Sequence, residues 1–293
     1  MKVGFFGDGP WSHQAFNLLH QSPDYEISFV CTRNDPGDMF LIDLAKKNKI
    51  DFLQNKNVNS SEFLSLLGNY GCDIFVSLAF NQIFKESILE LPKYGIINCH
   101  AGKLPLYRGR NILNWALIND ESEFGITVHF VDRGVDTGDI ILQNTYPITD
   151  LDTYKTLLDV AYSECGNLVL KALEAIRGNK INRIKQDKIG QGFYCVGRKD
   201  GDEIINWNQN SREIFNFIRA ITNPGPNARS FINGKEMKIV SSLPPNGQIL
   251  FKGIAGSILE KKGNSITIKT KDSQIIIDEY IFDGKFKVGD RFE

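Results

Sequence analysis

The 293-residue sequence holds only five cysteines, three tryptophans and three methionines. Its 34 Lys and Arg nearly cancel its 35 Asp and Glu. The cysteines, at 31, 72, 99, 165 and 195, are odd in number and never spaced CxxC. That argues against a paired disulfide framework and a cysteine-built zinc site, so no metal is expected and a reducing compartment fits best. No run of about 18 apolar residues occurs, and no long apolar core follows Met1. Neither a membrane span nor a secretory signal is therefore read, and the expected location is the cytoplasm. The net charge of −1 exerts no global pull on nucleic acid or on an anionic membrane. Repeats and low-complexity segments are also missing. What remains is ordinary globular material, 42% hydrophobic and 24% charged, enough for a large domain and a smaller one.

Short apolar runs alternate with helical periods through the first part of the chain. KVGFFG, EISFVCT, CDIFVSLAF and YGIINCH read as strands. SHQAFNLLHQS, FLIDLAKKNKI and ESILELP read as helices between them, the last stopped by Pro92. This rhythm predicts an α/β fold with a Rossmann-like, mostly parallel sheet, whose chemistry gathers at the carboxyl ends of the strands. Two further strand-like runs flank VDRGVDTGD, and a long amphipathic helix ends at Gly178. Residues 188–207 read as a linker, which divides the chain into a first domain over 1–187 and a C-terminal part over 208–293. That part opens with a helix, SREIFNFIRAI, followed by short β-type runs between glycines, SFING, MKIVSS, QILFKG, GSILE, SITIKT and QIIIDEY. They predict a small β domain, a barrel or sandwich.

Polar chemistry concentrates in NCHAGKLPLYRGRNILNW, directly after the YGII run. Asn98 and His100 are two apart on a strand, so their side chains share a face. In DRGVDTGD, Asp136 lies between Gly134 and Gly138, where the backbone can turn sharply and present a carboxylate. An amide, an imidazole and a carboxylate suit formyl transfer to an amine. The amide and ring N–H groups hold the oxygen as it gains negative charge. The imidazole takes the amine's proton, and the carboxylate fixes the ring. Cys99, between the pair, faces the other way and reads as core. The glycines of Gly7-x-Gly9 stand where a dinucleotide fingerprint would, but the third position is Ser12, and a tight turn accounts for them equally well.

These motifs carry a resemblance. NCHAGKLPLYRG resembles the N-x-H-x-S-L-L-P-x-Y-R-G segment of formyltransferases that use 10-formyltetrahydrofolate, and GITVHFVDRGVDTGDIILQ resembles a second stretch of the same family. FYCVGRKDGDEIINW and IRAITNPGP look like the start of its C-terminal domain. The resemblance implies a Rossmann-like domain followed by a small OB-like β domain, with catalytic Asn98, His100 and Asp136. It places the pterin against Phe80, Asn81, Gln82 and Ile83 and against the loop of Asp132, Gly134 and Val135. Gly102 and Lys103 depart from the family's usual Ser-Leu at those positions.

The acceptor amine is weighed among branches of that family. The stretch after EISFVC is short and carries interspersed acids, without the basic loop of the tRNA branch. Residues 208–293 have 13 Lys and Arg against 9 Asp and Glu, a mild excess. TRNDPG and YRGRNILNW look closer to the formyltransferase domain that modifies UDP-aminoarabinose and to other sugar formyltransferases. The expected acceptor is therefore a nucleotide-linked amino deoxysugar of a cell-surface glycan or lipopolysaccharide pathway, with no nucleic acid and no membrane as partner. Lys103, Arg108 and Arg110 are nominated for its diphosphate and Trp11 for a ring contact. Methionyl-tRNA is the alternative acceptor, and a non-catalytic nucleotide- or folate-binding protein the second alternative. A homodimer through an exposed β edge is compatible with either.

Overall fold

In the computed structural model every residue except Asn246 and Gln248 is described. The first elements follow the predicted alternation: β1 (Lys2–Gly7), α1 (Pro10–Gln21), β2 (Glu26–Cys31), α2 (Met39–Lys47), β3 (Asp51–Leu53), α3 (Ser61–Asn69), β4 (Ile74–Leu78), α4 (Glu86–Leu89) and β5 (Ile96–His100). They continue with β6 (Arg108–Gly109), α5 (Ile112–Ile118), β7 (Glu123–Phe130), β8 (Ile140–Pro147), α6 (Tyr154–Arg177) and β9 (Tyr194–Cys195). A 3-10 turn, Gln186–Lys188, precedes β9. The main sheet is ordered β3-β2-β1-β4-β5-β7-β8. β1 pairs in parallel with β2 and β4, and β5 in parallel with β4, whereas β7 runs antiparallel to β5. β4 is buried at all five positions, as a strand covered on both faces must be.

Close packing explains the early glycines. A Cβ on Gly4 would fall 2.5 Å from the rings of Phe29 and Phe75, and one on Gly7 would fall 2.7 Å from the Cβ of Ser12. Gly9, at φ +66°, is the residue that precedes α1. A tight turn thus accounts for Gly7-x-Gly9. Above β1 the rings of Phe29, Phe75, Phe80 and Phe84 all meet Phe6 edge-on, with centroids 5.1 to 5.5 Å away. Such edge contacts suit the ring quadrupoles, and they hold Phe80 at the end of β4.

By contacts the chain groups into two compact units, each discontinuous in sequence. The first comprises Met1–Gly109, Gly125–Tyr146 and Asp159–Cys195, and the second Arg110–Phe124, Pro147–Leu158 and Val196–Glu293. In the second unit, α7 (Ser211–Ile221) accompanies β10 (Ala228–Ile232), β11 (Lys235–Ser242), β12 (Ile258–Lys262), β13 (Ser265–Lys269) and β14 (Gln274–Ile281). These five strands form an antiparallel sheet, β10-β11-β14-β13-β12, the smaller β domain expected. QILFKG forms no strand over 249–253, and its first residue, Gln248, lies outside the described residues. Trp207 is core: it is 5% exposed, stacks on Phe292, and donates its indole N–H to Ser230 Oγ at 2.9 Å. Among the described residues no helix is long and apolar enough to cross a membrane.

Candidate active site

The carboxyl end of β5 carries Asn98 and His100, and pairing with β7 sets Asn98 opposite His129 and His100 opposite Thr127. His100 is buried, and its Nε2 lies 2.7 Å from Tyr107 O. A carbonyl can only accept, so Nε2 carries the proton there. The other ring nitrogen, Nδ1, faces Asp136 Oδ2 at 3.7 Å. Asp136 takes φ +54° and is held by Gly109 N–H, which donates to Oδ2 at 2.9 Å. The amide, the ring and the acid expected from the sequence therefore meet in one place.

A fourth member was not singled out from the sequence. His129 is 2% exposed, its Nδ1 donates to Phe130 O at 2.7 Å, and its Nε2 lies 3.6 Å from Asp136 Oδ1. With Nδ1 committed as donor, Nε2 is left to accept from Asn98 Nδ2 at 3.3 Å. Its signal was present in ITVHF, since strand alternation puts residue 129 on one face with Thr127 and pairing puts it beside Asn98. Burial works against ionisation of Asp136, but the positive charge His100 gains when Nδ1 takes a proton, the contact with His129 and the Gly109 N–H outweigh it and hold the carboxyl well below its usual range. Cys99 is buried, and its contact with Cys165 together with burial raises its thiol. It is core, as expected.

The other nominated residues sit as follows. Phe80 is half-buried against Phe6 and stacks on Phe84. Asn81 is exposed, and Ile83 is 63% exposed. Gln82 has another job: Oε1 accepts from Val58 N–H at 3.0 Å, and Nε2 donates to Asn55 O at 2.8 Å, pinning the loop before α3. Asp132 Oδ1 accepts from Gly134 N–H and from Thr137 Oγ1, shaping the loop that exposes Val135. Trp11 packs edge-on against Tyr162 with centroids 4.9 Å apart. Lys103 is half-buried beside Gly125, and Arg110 is exposed. Arg108 donates from Nε and Nη2 to Gln186 Oε1 at 3.1 and 2.6 Å.

Residues 14–173 match the formyl transferase family model, and residues 198–289 match the formyl transferase C-terminal domain model. The chain belongs to the formyl transferase family. It is thereby an enzyme of formyl transfer, in a family whose one-carbon donor is 10-formyltetrahydrofolate. A methionyl-tRNA formyltransferase from Fusobacterium nucleatum is 32% identical over 286 residues, covering 94% of this chain and 91% of its own. One from Halothermothrix orenii is 32% identical over 306 residues, covering 100% and 96%. Among solved structures, an N-formyltransferase from Helicobacter canadensis in complex with folinic acid and dTDP-3-aminofucose is 26% identical with TM-score 0.69, covering 96% of this chain and 100% of its own.

These relatives overturn two expectations. The nucleotide-linked amino sugar of a glycan pathway gives way to the alternative acceptor, and the exclusion of a nucleic acid partner falls with it. The exclusion of nucleic acid leaned on charge counts, and the sugar reading also on the likeness of TRNDPG and YRGRNILNW. A whole-chain sum says nothing about a local patch of cations. Asp38, one of the acids after β2 that weighed against RNA, is tied down: Oδ2 lies 2.5 Å from His13 Nε2 and accepts from Gly9 N–H, while Oδ1 caps α2 at Leu41 N–H.

Proposed function

We propose that the chain transfers a formyl group from 10-formyltetrahydrofolate to the amino group of methionyl-tRNA. The observation that carries the acceptor is the match, at 32% identity across both domains, to methionyl-tRNA formyltransferases. The chemistry rests on Asn98, His100 and Asp136 as catalytic residues. The folate supplies an activated formyl group. Asn98 Nδ2 spends one N–H on His129, so its second N–H is free to donate to the formyl oxygen as that atom gains negative charge. Such a donor is worth roughly 2–4 kcal/mol of barrier.

His100 receives the proton that the attacking amine must lose and returns it to the folate nitrogen as the bond from that nitrogen to the formyl carbon breaks and tetrahydrofolate leaves. Because Nε2 is already protonated and committed to Tyr107 O, the accepting atom is Nδ1. That nitrogen faces Asp136, whose negative charge meets the imidazolium that forms. Phe80, Asn81, Ile83 and the loop of Asp132, Gly134 and Val135 hold the pterin. The exposed side chains of Ile83 and Val135 and the half-buried ring of Phe80 offer apolar faces for a flat ring. Lys103 and Arg110 supply cations to the acceptor's phosphates. Arg108 and Trp11 brace the walls, and Gln82 holds the loop before α3.

The test supplies formyl donor with methionyl-tRNA in one reaction and an amino-sugar nucleotide in another, and detects product by mass. Formylmethionyl-tRNA alone is the expected product. Formylation of the sugar without formylation of the tRNA refutes the acceptor assignment while leaving the site chemistry intact.

A further inference from the structure

Gln186 is 3% exposed, although the segment around it, NRIKQDKIGQG, is polar and charged. Its amide uses all four of its hydrogen-bonding positions. Oε1 accepts from Arg108 Nε at 3.1 Å and Nη2 at 2.6 Å. Nε2 donates to Asp136 O and to Gly138 O, both at 2.8 Å. Both carbonyls belong to the loop that presents the Asp136 carboxylate. That loop runs close against the strand before it, since a Cβ on Gly138 would collide with Phe130 O.

The loop is thus gripped twice. Gly109 N–H holds the carboxylate directly, and Arg108 holds the backbone through Gln186. Residues 108 and 109 are the two residues of β6, which pairs with Tyr194–Cys195. One anchored dipeptide therefore controls both grips.

We infer that Gln186 is a positioning residue for the transfer: by clamping the Asp136 and Gly138 carbonyls to Arg108, it sets the Asp136 carboxylate against His100 and His129. This inference rests on the formyl-transfer reading above. The position demands an amide, with two donors on one side and an acceptor on the other. A carboxylate would satisfy Arg108 but set an oxygen against two carbonyl oxygens. A methionine would fill the space and satisfy neither side.

The experiment measures kcat, the KM of each substrate and the thermal midpoint for Gln186→Met, Gln186→Glu, Asp136→Asn and the double variant Gln186→Met with Asp136→Asn. It uses whichever acceptor the wild type formylates. Gln186→Met should lower kcat by roughly 10²-fold, the scale of a misplacement near 1 Å, with KM values nearly unchanged. In the Asp136→Asn background the same change should cost less than about twofold, because the carboxylate it positions is gone. Wild-type kcat in Gln186→Met, or a full additive loss in the double variant, overturns the positioning role. If Gln186→Met fails to fold, Gln186→Glu decides: kcat should fall with the KM values nearly unchanged, and wild-type kcat there overturns the inference. Absence of turnover by the wild type with every acceptor removes the formyl-transfer reading, and this inference with it.

Discussion

At residue scale the site depends on how little room surrounds His100. A Cβ on Gly102 would fall 2.5 Å from His100 Nε2 and 2.6 Å from Tyr107 O, so glycine lets the ring reach that carbonyl. Restoring the family's usual serine, Gly102→Ser, should displace the ring and lower kcat by roughly 10²-fold. Steady-state kinetics with an intact circular dichroism spectrum checks this, and a wild-type kcat would show that the ring has space to spare. Asp136 supports a second prediction. Its folded-state carboxyl is held below the ordinary value by His100, His129 and Gly109 against the pull of burial. The stability it contributes is therefore complete above the unfolded carboxyl range and is lost as pH falls below about 4. Asp136→Asn should be less stable than wild type at neutral pH, with the gap closing on acidification. A gap that stays constant with pH would remove the carboxylate from the imidazoles' surroundings. Asn98, His100 and Asp136 were legible because each stands in a motif. His129 and Gln186 act through neighbours brought together by strand pairing and by a turn far along the chain, which no linear spacing displays.

At element scale the parallel sheet was legible from nearly unbroken apolar runs such as Ile74–Leu78, and α6 from its period and terminal glycine. The three-residue β3 was not, because so short a run carries no periodicity. α3 was passed over despite the cap at Ser60, whose side chain accepts from Phe63 N–H. The β2–α2 connection shows how one acid can be misread. Asp38, one of the interspersed acids counted against a basic loop, caps α2, accepts from Gly9 N–H at the start of α1 and lies against His13. Asp38→Ala should lower stability by about 1–2 kcal/mol, the cost of a lost N-cap. Urea unfolding followed by circular dichroism reads the shift, and an unmoved midpoint would mean that water replaces the carboxylate without cost.

At the scale of the whole molecule, the two domains of the formyl transferase family were legible in order, but the acceptor was not. Net charge near zero is compatible with RNA binding when the cations that matter are few and local. Such contacts still release counterions. The KM for methionyl-tRNA should therefore climb roughly tenfold or more between about 50 and about 200 mM salt, while the KM for the folate changes little. A KM for tRNA insensitive to salt would contradict an acceptor held through its phosphates. The central claim, that His100 takes the proton of the attacking amine, is tested most directly by single-turnover formyl transfer to methionyl-tRNA in wild type and His100→Asn at saturating donor. The account predicts unchanged donor binding and a rate lower by roughly 10³-fold; a rate within a few-fold of wild type would contradict it.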